Sequence, residues 1–453
     1  MQLSFAQPVA IALDDAIHKL EADEQFRHAV TALYVLDAAN GKIVYDHNGQ
    51  TGLAPASCQK IITSASAFDL LGKDYVYQTR IGYAGSISDG LLKGALYIIP
   101  SGDPSLGSWR WNGTTMEAIR KKLQEALQAK NIKAIEGDIE IMNTAWETQA
   151  TPRGWIWEDI GNYYGAGARL LNWHENQYDL VLQPGKAAGD RVAILRTTPL
   201  PEVDTIINEL LTGPAGSGDN SILYLPEEGR VAYFRGTVPA GKTSFTVGGA
   251  LPAPAKTFTR MLAEVLNETG IRWKGQFRII MQPDIVAPVT EPLLNISSPV
   301  LDSINYWFLR KSVNLFGEAF VKTIAYEKRN IGSTDTGTAF IRQYWKERGI
   351  EASSLKILDG SGLSPGNRVT AAALAAILRY ARQQRWFASF YAALPEINGV
   401  KMKDGYINGV RSYAGYIQGR SGVTYCFCFI VNNFDGSPGT AREKIWKLLD
   451  ILK

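Results

Sequence analysis

The sequence predicts an α+β domain built from both ends of the chain and split by a β-rich middle. Three observations predict it. Two apolar runs flank Asn40-Gly41 in "TALYVLDAANGKIVYDHN" (31–48), and an apolar helical stretch, 57–71, follows. From about residue 80 to 279, short strand-like runs punctuated by Gly and Pro dominate. Beyond Pro288 long helical patterns return, and near the end lies "INGVRSYAGYIQGRSGVTYCFCFIVNN" (407–433).

Each element has a local reason. Residues 8–29 space Leu13, Ile17, Leu20 and Phe26 at helical intervals. Asn-Gly between two apolar runs is a strong hairpin signal, so 31–48 reads as two antiparallel strands. Gly72 is a natural C-cap for the helix 57–71. In the middle, "LLKGALYIIP", "AIEGDIEIM", "YDLVLQPG", "SILYLP" and "VAYFRGTV" read as strands. Helical patterns cover 299–328, 335–349, 370–384 and 440–452. Residues 407–433 read as a strand pair turning near Gly419-Arg420-Ser421-Gly422. The expected division is a core of 1–78 and 280–453, with 79–279 inserted as two β-rich domains, one nested in the other.

Composition narrows the function. A chain of 453 residues exceeds one simple core. Hydrophobic residues are 45% and charged residues 20%, an ordinary globular balance. Lys plus Arg (47) against Asp plus Glu (44) leaves +3, which gives no support for nucleic-acid binding. Cys58, Cys426 and Cys428 give neither a disulfide framework nor a zinc site. The scattered His18, His28, His47 and His174 form no metal-binding pair and argue against a Ser-His-Asp enzyme. No metal and no cofactor is expected. No apolar run reaches the roughly 18 residues of a membrane span. The start, "MQLSFAQPVA", is not a complete signal peptide; it reads equally as the stub of one or as a frayed end.

Three short motifs carry chemistry. In "APASCQKIIT", Ser57 and Lys60 stand at i and i+3, one turn apart on one helix face. A helix N-terminus favours a developing anion, and a buried lysine held neutral takes a serine's proton. Alone, S-x-x-K is weak, because capping a helix is the commoner use of such a serine. The second motif is Ser312-Val313-Asn314, an S-x-N triplet, with another at Ser303-Ile304-Asn305. Two plain polar positions on a helix would explain either. The third is Lys403-Asp404-Gly405, where glycine on an edge strand leaves room for a ligand. A charged turn is its plain alternative.

Taken in order, the three resemble the S-x-x-K, S-D-N and K-T-G set of serine β-lactamases and penicillin-binding proteins. The flanks "SPVLDSINYWFLRKSVNLFGE", "LDGSGLSPGNRVT" and "VRSYAGYI" resemble the low-molecular-mass class C penicillin-binding proteins. These are D-alanyl-D-alanine carboxypeptidase/endopeptidases of the DacB type. The middle, including "IPSGDPSL" and "GWIWEDIGNYYGAGARLLNWHENQYDLVLQPG", is similar too, so the likeness runs from about residue 30 to the C-terminus. The family's spacing from Ser298 selects Ser312 and Asn314 over Ser303 and Asn305.

The resemblance implies a serine β-lactamase/DD-transpeptidase-like core, an antiparallel sheet flanked by helices. It implies a periplasmic or secreted serine peptidase of peptidoglycan stem peptides, acylated by β-lactams at Ser57. It assigns Lys60 as base, Ser312 as proton relay and Lys403 as nearby positive charge. Asn314 positions the substrate amide and holds Lys60. The backbone N–H groups of Ser57 and Tyr406 form the oxyanion hole, and Gly405 leaves them room. Asp159 is a candidate carboxylate toward a stem-peptide amine, with a plain structural role as its alternative. Asp359-Gly360-Ser361-Gly362 reads as a turn near the site that shapes the cleft. Trp111, Trp155, Trp157 and Trp173 are expected in the core of the insertion, with glycan stacking as the alternative, and Cys58 as a small packing residue. Oligomeric state is not readable.

Two residues depart from the family pattern. Leu309 stands where Asn is frequent. Asp404 stands where Thr or Ser contacts the substrate carboxylate. Two carboxylates at about 4 Å repel by about 1 kcal/mol in water and about 4 kcal/mol at an effective dielectric of 20. Either Asp404 turns away, with Lys403 or Arg411 taking up its charge, or the function shifts. The shifted alternatives are a catalytically weakened peptidoglycan-binding homologue, or an amidase or esterase of altered specificity.

Overall fold

The computed structural model describes residues 6–143, 145–227, 229–281 and 290–453. The possible leader stub at residues 1–5 and the boundary at Pro288 lie outside the described residues. The chain packs as two compact units. The first takes the N-terminal part up to Asp74, then Leu301–Ala325 and Thr334–Lys453; the second takes Tyr75–Val300 and Tyr326–Ser333.

The first unit is α+β. Its elements are α1 (Ala6–Ala22), β1 (Val30–Asp37), β2 (Ile43–His47), α2 (Lys60–Leu70), α3 (Leu301–Arg310) and α4 (Asn314–Arg329). They continue with α5 (Thr334–Lys346), α6 (Ala371–Arg382), α7 (Phe387–Ala393), β3 (Glu396–Ile397) and β4 (Val400–Ile407). β5 (Val410–Gln418), β6 (Thr424–Asn432) and α8 (Pro438–Leu449) follow, and a short separate strand pair joins Leu355–Lys356 to Arg368–Val369. The sheet order is β3-β4-β5-β6-β1-β2, and every neighbouring pair is antiparallel. The N-terminal hairpin thus joins the C-terminal strands at the β1–β6 pair, where Leu33 faces Phe429.

β6 is central and covered on both faces, which explains its unbroken apolar run. Phe427, Phe429 and Val431 point into a core with Leu13 and Ile17 of α1 and Ile445 of α8. Cys426 and Cys428, on the alternate face, are buried and free. α6 packs against β6 and β1, and α2 packs against α3 and α6. The helical pattern at 299–328 is broken in two, because residues 311–313 leave the helix and Ser312 takes φ +57°.

The second unit holds the β-rich middle. Strands at 78–142 and 272–297 make one seven-stranded sheet. Strands between Gln177 and Ala250 make separate sheets of three and four. The middle also contains two helices that the strand-rich reading passed over, Met116–Ala129 and Pro254–Glu268. Each buries one stripe: Ile119, Leu123 and Leu127 on the first, Phe258, Leu262 and Val265 on the second. Trp173 and Trp155 are buried as expected, but Trp157 is 47% exposed. It opens a four-residue helix in which no residue is buried, and its ring lies against Tyr224, with the centroids 6.1 Å apart. No described helix is long and apolar enough to cross a membrane.

Candidate active site

Ser57 lies in a 3-10 turn, Ala56–Gln59, that runs into α2. The α-helix therefore starts at Lys60 rather than at residue 57. Pro55 precedes the turn, its carbonyl accepts from the Cys58 N–H at 3.2 Å, and Ala56 holds φ +44°. A buried non-glycine residue in the left-handed region is strained, and such strain concentrates at functional sites. The turn keeps Ser57 and Lys60 on one face. Ser57 is half-buried, whereas Lys60 is fully buried.

Lys60 Nζ is held by three acceptors: Ser57 Oγ at 3.0 Å, Asn314 Oδ1 at 2.6 Å and the Ser361 carbonyl at 2.7 Å. None of the three carries a charge. Burial and the positive charge of Lys403 lower the Lys60 pKa to about 7, against the opposing pull of Asp359, Glu318 and Asp404. The group is thus poised to exchange a proton near neutral pH. Asn314 reaches Lys60 from the first turn of α4. Ser312, two residues earlier, is half-buried, and among the described residues no hydrogen bond joins its hydroxyl to Ser57, Lys60 or Lys403.

The facing wall is β4. Lys403 and Gly405 share one face of this strand by the period-two alternation. A Cβ at Gly405 would lie 2.8 Å from both Ser57 N and Pro55 O, and 2.3 Å from Ser412 Oγ. Only glycine lets the strand approach the Ser57 amide this closely. Cys58 fills the same seam, its Sγ donating to the Lys403 carbonyl at 3.2 Å. Ser412, opposite Gly405 on β5, donates to the Pro55 carbonyl at 2.5 Å.

Lys403 is buried, and its Nζ donates to Asp404 Oδ1 at 2.9 Å and to the Asp404 carbonyl at 2.7 Å. Burial pushes the Asp404 carboxyl up, but the charge and hydrogen bond of Lys403, with Arg411 beyond, hold its pKa net below the ordinary value. Asp404 is therefore an ionised partner of Lys403. Tyr406 is 46% exposed, with the Arg411 guanidinium 4.8 Å from its ring centre. Leu309 is fully buried in α3.

The first unit thus gathers Ser57, Lys60 and Asn314 into one hydrogen-bonded group, and Lys403 and Asp404 into a second. Asp159 belongs to the second unit, in Trp157–Ile160. Burial and then Glu158 raise its pKa to about 6, against a hydrogen bond with Tyr164.

Sequence reasoning placed the Asp359-Gly360-Ser361-Gly362 turn near the site, but not the hydrogen bonds that set it beneath Lys60. Asp359 accepts from Gln59 Nε2 (2.8 Å), Gly362 N (2.8 Å), Asn367 Nδ2 (3.0 Å) and Ser364 N (2.7 Å). Glu318, fully buried on α4, accepts from Gly360 N at 3.0–3.1 Å through both oxygens. A charged residue in the otherwise apolar "NLFGEAFV", four residues after Asn314, was the available signal.

A six-stranded antiparallel sheet between helices, with a serine and a buried lysine one turn apart beside the strand next to the sheet's edge, is the architecture of the serine β-lactamase and DD-transpeptidase class. Residues 13–401 match the D-Ala-D-Ala carboxypeptidase 3 (S13) family. The chain belongs to this family, the serine-type D-Ala-D-Ala carboxypeptidases.

Among similar proteins, the D-alanyl-D-alanine carboxypeptidase of Actinomadura sp. (strain R39) is 26% identical over 396 residues, covering 84% of this chain and 70% of its own. D-alanyl-D-alanine carboxypeptidase DacB of Haemophilus influenzae is 24% identical over 342 residues, covering 75% and 68%. The crystal structure of penicillin binding protein 4 (dacB) from Haemophilus influenzae superposes with a TM-score of 0.81 at 19% identity. That superposition covers 96% of this chain and 97% of the other. The family and its peptidase relatives favour the peptidase over a weakened binding homologue or an altered amidase or esterase.

Proposed function

We propose that the protein hydrolyses the D-Ala-D-Ala bond of peptidoglycan stem peptides through an acyl-enzyme on Ser57. The carrying observation is the 3.0 Å hydrogen bond between Lys60 Nζ and Ser57 Oγ, with Lys60 fully buried. Lys60 accepts the Ser57 proton while Oγ bonds to the carbonyl carbon. The carbon–nitrogen bond then breaks, and the leaving amine takes a proton relayed through Ser312 beside Lys403. Water cleaves the resulting ester and restores Ser57. Asn314 orients both Lys60 and the substrate amide. The Ser57 and Tyr406 N–H groups receive the oxyanion, each such donor being worth roughly 10²–10³ in rate.

The same chemistry cleaves a cross-link, and a β-lactam acylates Ser57 in the peptide's place. The complex of Haemophilus influenzae penicillin binding protein 4 with a β-lactam supports this by analogy. Asp159 is assigned to a stem-peptide amine, and Asp404 and Gly405 to the substrate-binding wall. The substrate's location places the protein in the periplasm or outside the cell. We assign 1–78 and 280–453 to the catalytic core and 79–279 to two nested domains. The separate sheets within Gln177–Ala250, bracketed in sequence by strands of the seven-stranded sheet, support the nesting, whereas the strand Glu291–Ser297 pairs within that sheet and moves the later boundary to about Val300.

The test is D-alanine release from a peptide ending in D-Ala-D-Ala. The wild type releases it and Ser57→Ala does not. No release by folded wild type overturns the proposal.

A further inference from the structure

The floor beneath Lys60 contains two fully buried carboxyl groups, Glu318 and Asp359, which the family motifs leave without a task. Their surroundings differ. Asp359 is surrounded by at least four N–H donors, two from backbone (Gly362, Ser364) and two from side chains (Gln59, Asn367). That is the solvation an ionised carboxylate requires. Glu318 has one backbone donor, Gly360 N–H, shared between both oxygens, and a hydrogen bond with Ser361. Two adjacent buried carboxylates do not both ionise without strong cost, so one proton resides on the less solvated member.

Glu318 is also joined to the nucleophile's partner. It stands one turn beyond Asn314 on the same face of α4. Its hydrogen bonds fix Gly360 and Ser361, and the Ser361 carbonyl is the third acceptor of Lys60 Nζ. The turn is pressed onto α4: a Cβ at Gly360 would lie 2.3 Å from the Gly317 carbonyl oxygen. The charged or titratable groups around Glu318 are Asp359 from the turn, Lys60 from α2, and Lys322, also buried, one turn on along α4. Lys403 and Asp404 of β4 act on Lys60 from the other side.

We propose that Glu318 is a positioning residue that stays protonated beneath Lys60, holding the Ser361 carbonyl in place while adding no negative charge that would trap Lys60 as an ammonium. Were Glu318 and Asp359 both ionised, two buried anions would favour the charged lysine, and the base would be lost at neutral pH. Burial and the neighbouring Asp359 raise the Glu318 pKa to about 8, consistent with this proton. The inference rests on the reading of Lys60 as the base for Ser57.

The experiment pairs infrared difference spectroscopy with a pH profile of acylation by labelled penicillin, on the full chain. Wild type at pH 7 should show a protonated-carboxyl C=O band that is absent in Glu318→Gln and that disappears from wild type as pH rises through about 8. Glu318→Gln keeps the Gly360 hydrogen bond and should acylate at pH 7 within about threefold of wild type. Its acylation should reach its plateau at lower pH, because no anion forms beneath Lys60. Absence of the band in wild type at pH 7, or a Glu318→Gln profile superimposable on wild type, overturns the proposal. Should the variant not fold, the pH titration of the wild-type band alone decides. If wild type carries the band yet is never acylated, the reading of Lys60 fails while the location of the proton stands.

Discussion

Lys60 carries the largest functional demand of any single side chain in the core. It is a fully buried lysine with three neutral acceptors at 2.6–3.0 Å. Its pKa of about 7 makes acylation pH-dependent. The penicillin acylation rate should rise with pH through about 7, and Lys60→Ala should remove that rise along with nearly all activity. A rate independent of pH between 5 and 9 would contradict a lysine base.

Asp404 is the other decisive residue. Its pairing with Lys403 at 2.9 Å matches the expected alternative in which the lysine takes up the charge. The pair also occupies positive charge that a substrate carboxylate would use. Asp404→Thr should therefore raise the second-order acylation rate, by up to the roughly fivefold that about 1 kcal/mol represents in water. An unchanged or lower rate would mean that Asp404 does not meet the ligand carboxylate.

At the scale of elements, the site is a seam between the Ala56–Gln59 turn and β4, and Gly405 sets its width. Gly405→Ala should lower the acylation rate about 10²-fold or more by displacing the strand from the Ser57 amide, while leaving the fold intact. Stopped-flow acylation with circular dichroism as a control checks this.

The elements were legible where one local signal dominates. Asn40-Gly41 gave the hairpin, and the turn signal at Gly419-Arg420-Ser421-Gly422 within 407–433 gave the β5–β6 pair. The single helical pattern at 299–328 hid a break, because residues 311–313 carry no Gly or Pro to announce it and Ser312 adopts positive φ. The helix Met116–Ala129 was passed over although Thr115 caps it and Ile119, Leu123 and Leu127 recur every fourth residue. The surrounding Gly- and Pro-rich strands set the texture instead. The floor of the site was legible in part. Asp359-Gly360-Ser361-Gly362 reads as a turn near the site, but Glu318 lies 41 residues before Asp359, so no spacing in the chain connects it to that turn.

At the scale of the whole molecule, the buried site weakens the fold that holds it. Lys60 titrates near 10.5 when unfolded and near 7 when folded, so unfolding takes up a proton between those values. Stability therefore rises with pH across that window. Glu318 acts oppositely: its pKa is about 8 folded against 4.5 as the ordinary value, so its contribution falls as pH rises from 4.5 to 8. The melting temperature of Lys60→Met minus that of wild type should accordingly decrease as pH rises from about 7 toward 10. A constant difference would show that Lys60 is charged in the native state.

The kinetic expectations depend on one covalent event in the first unit. The most direct measurement is mass spectrometry of the intact protein, then of its peptides, after incubation with a labelled penicillin. The account predicts one adduct, on the peptide containing Ser57, absent in Ser57→Ala. Folded wild type that carries no adduct at high ligand concentration, or carries it on another residue, would contradict it.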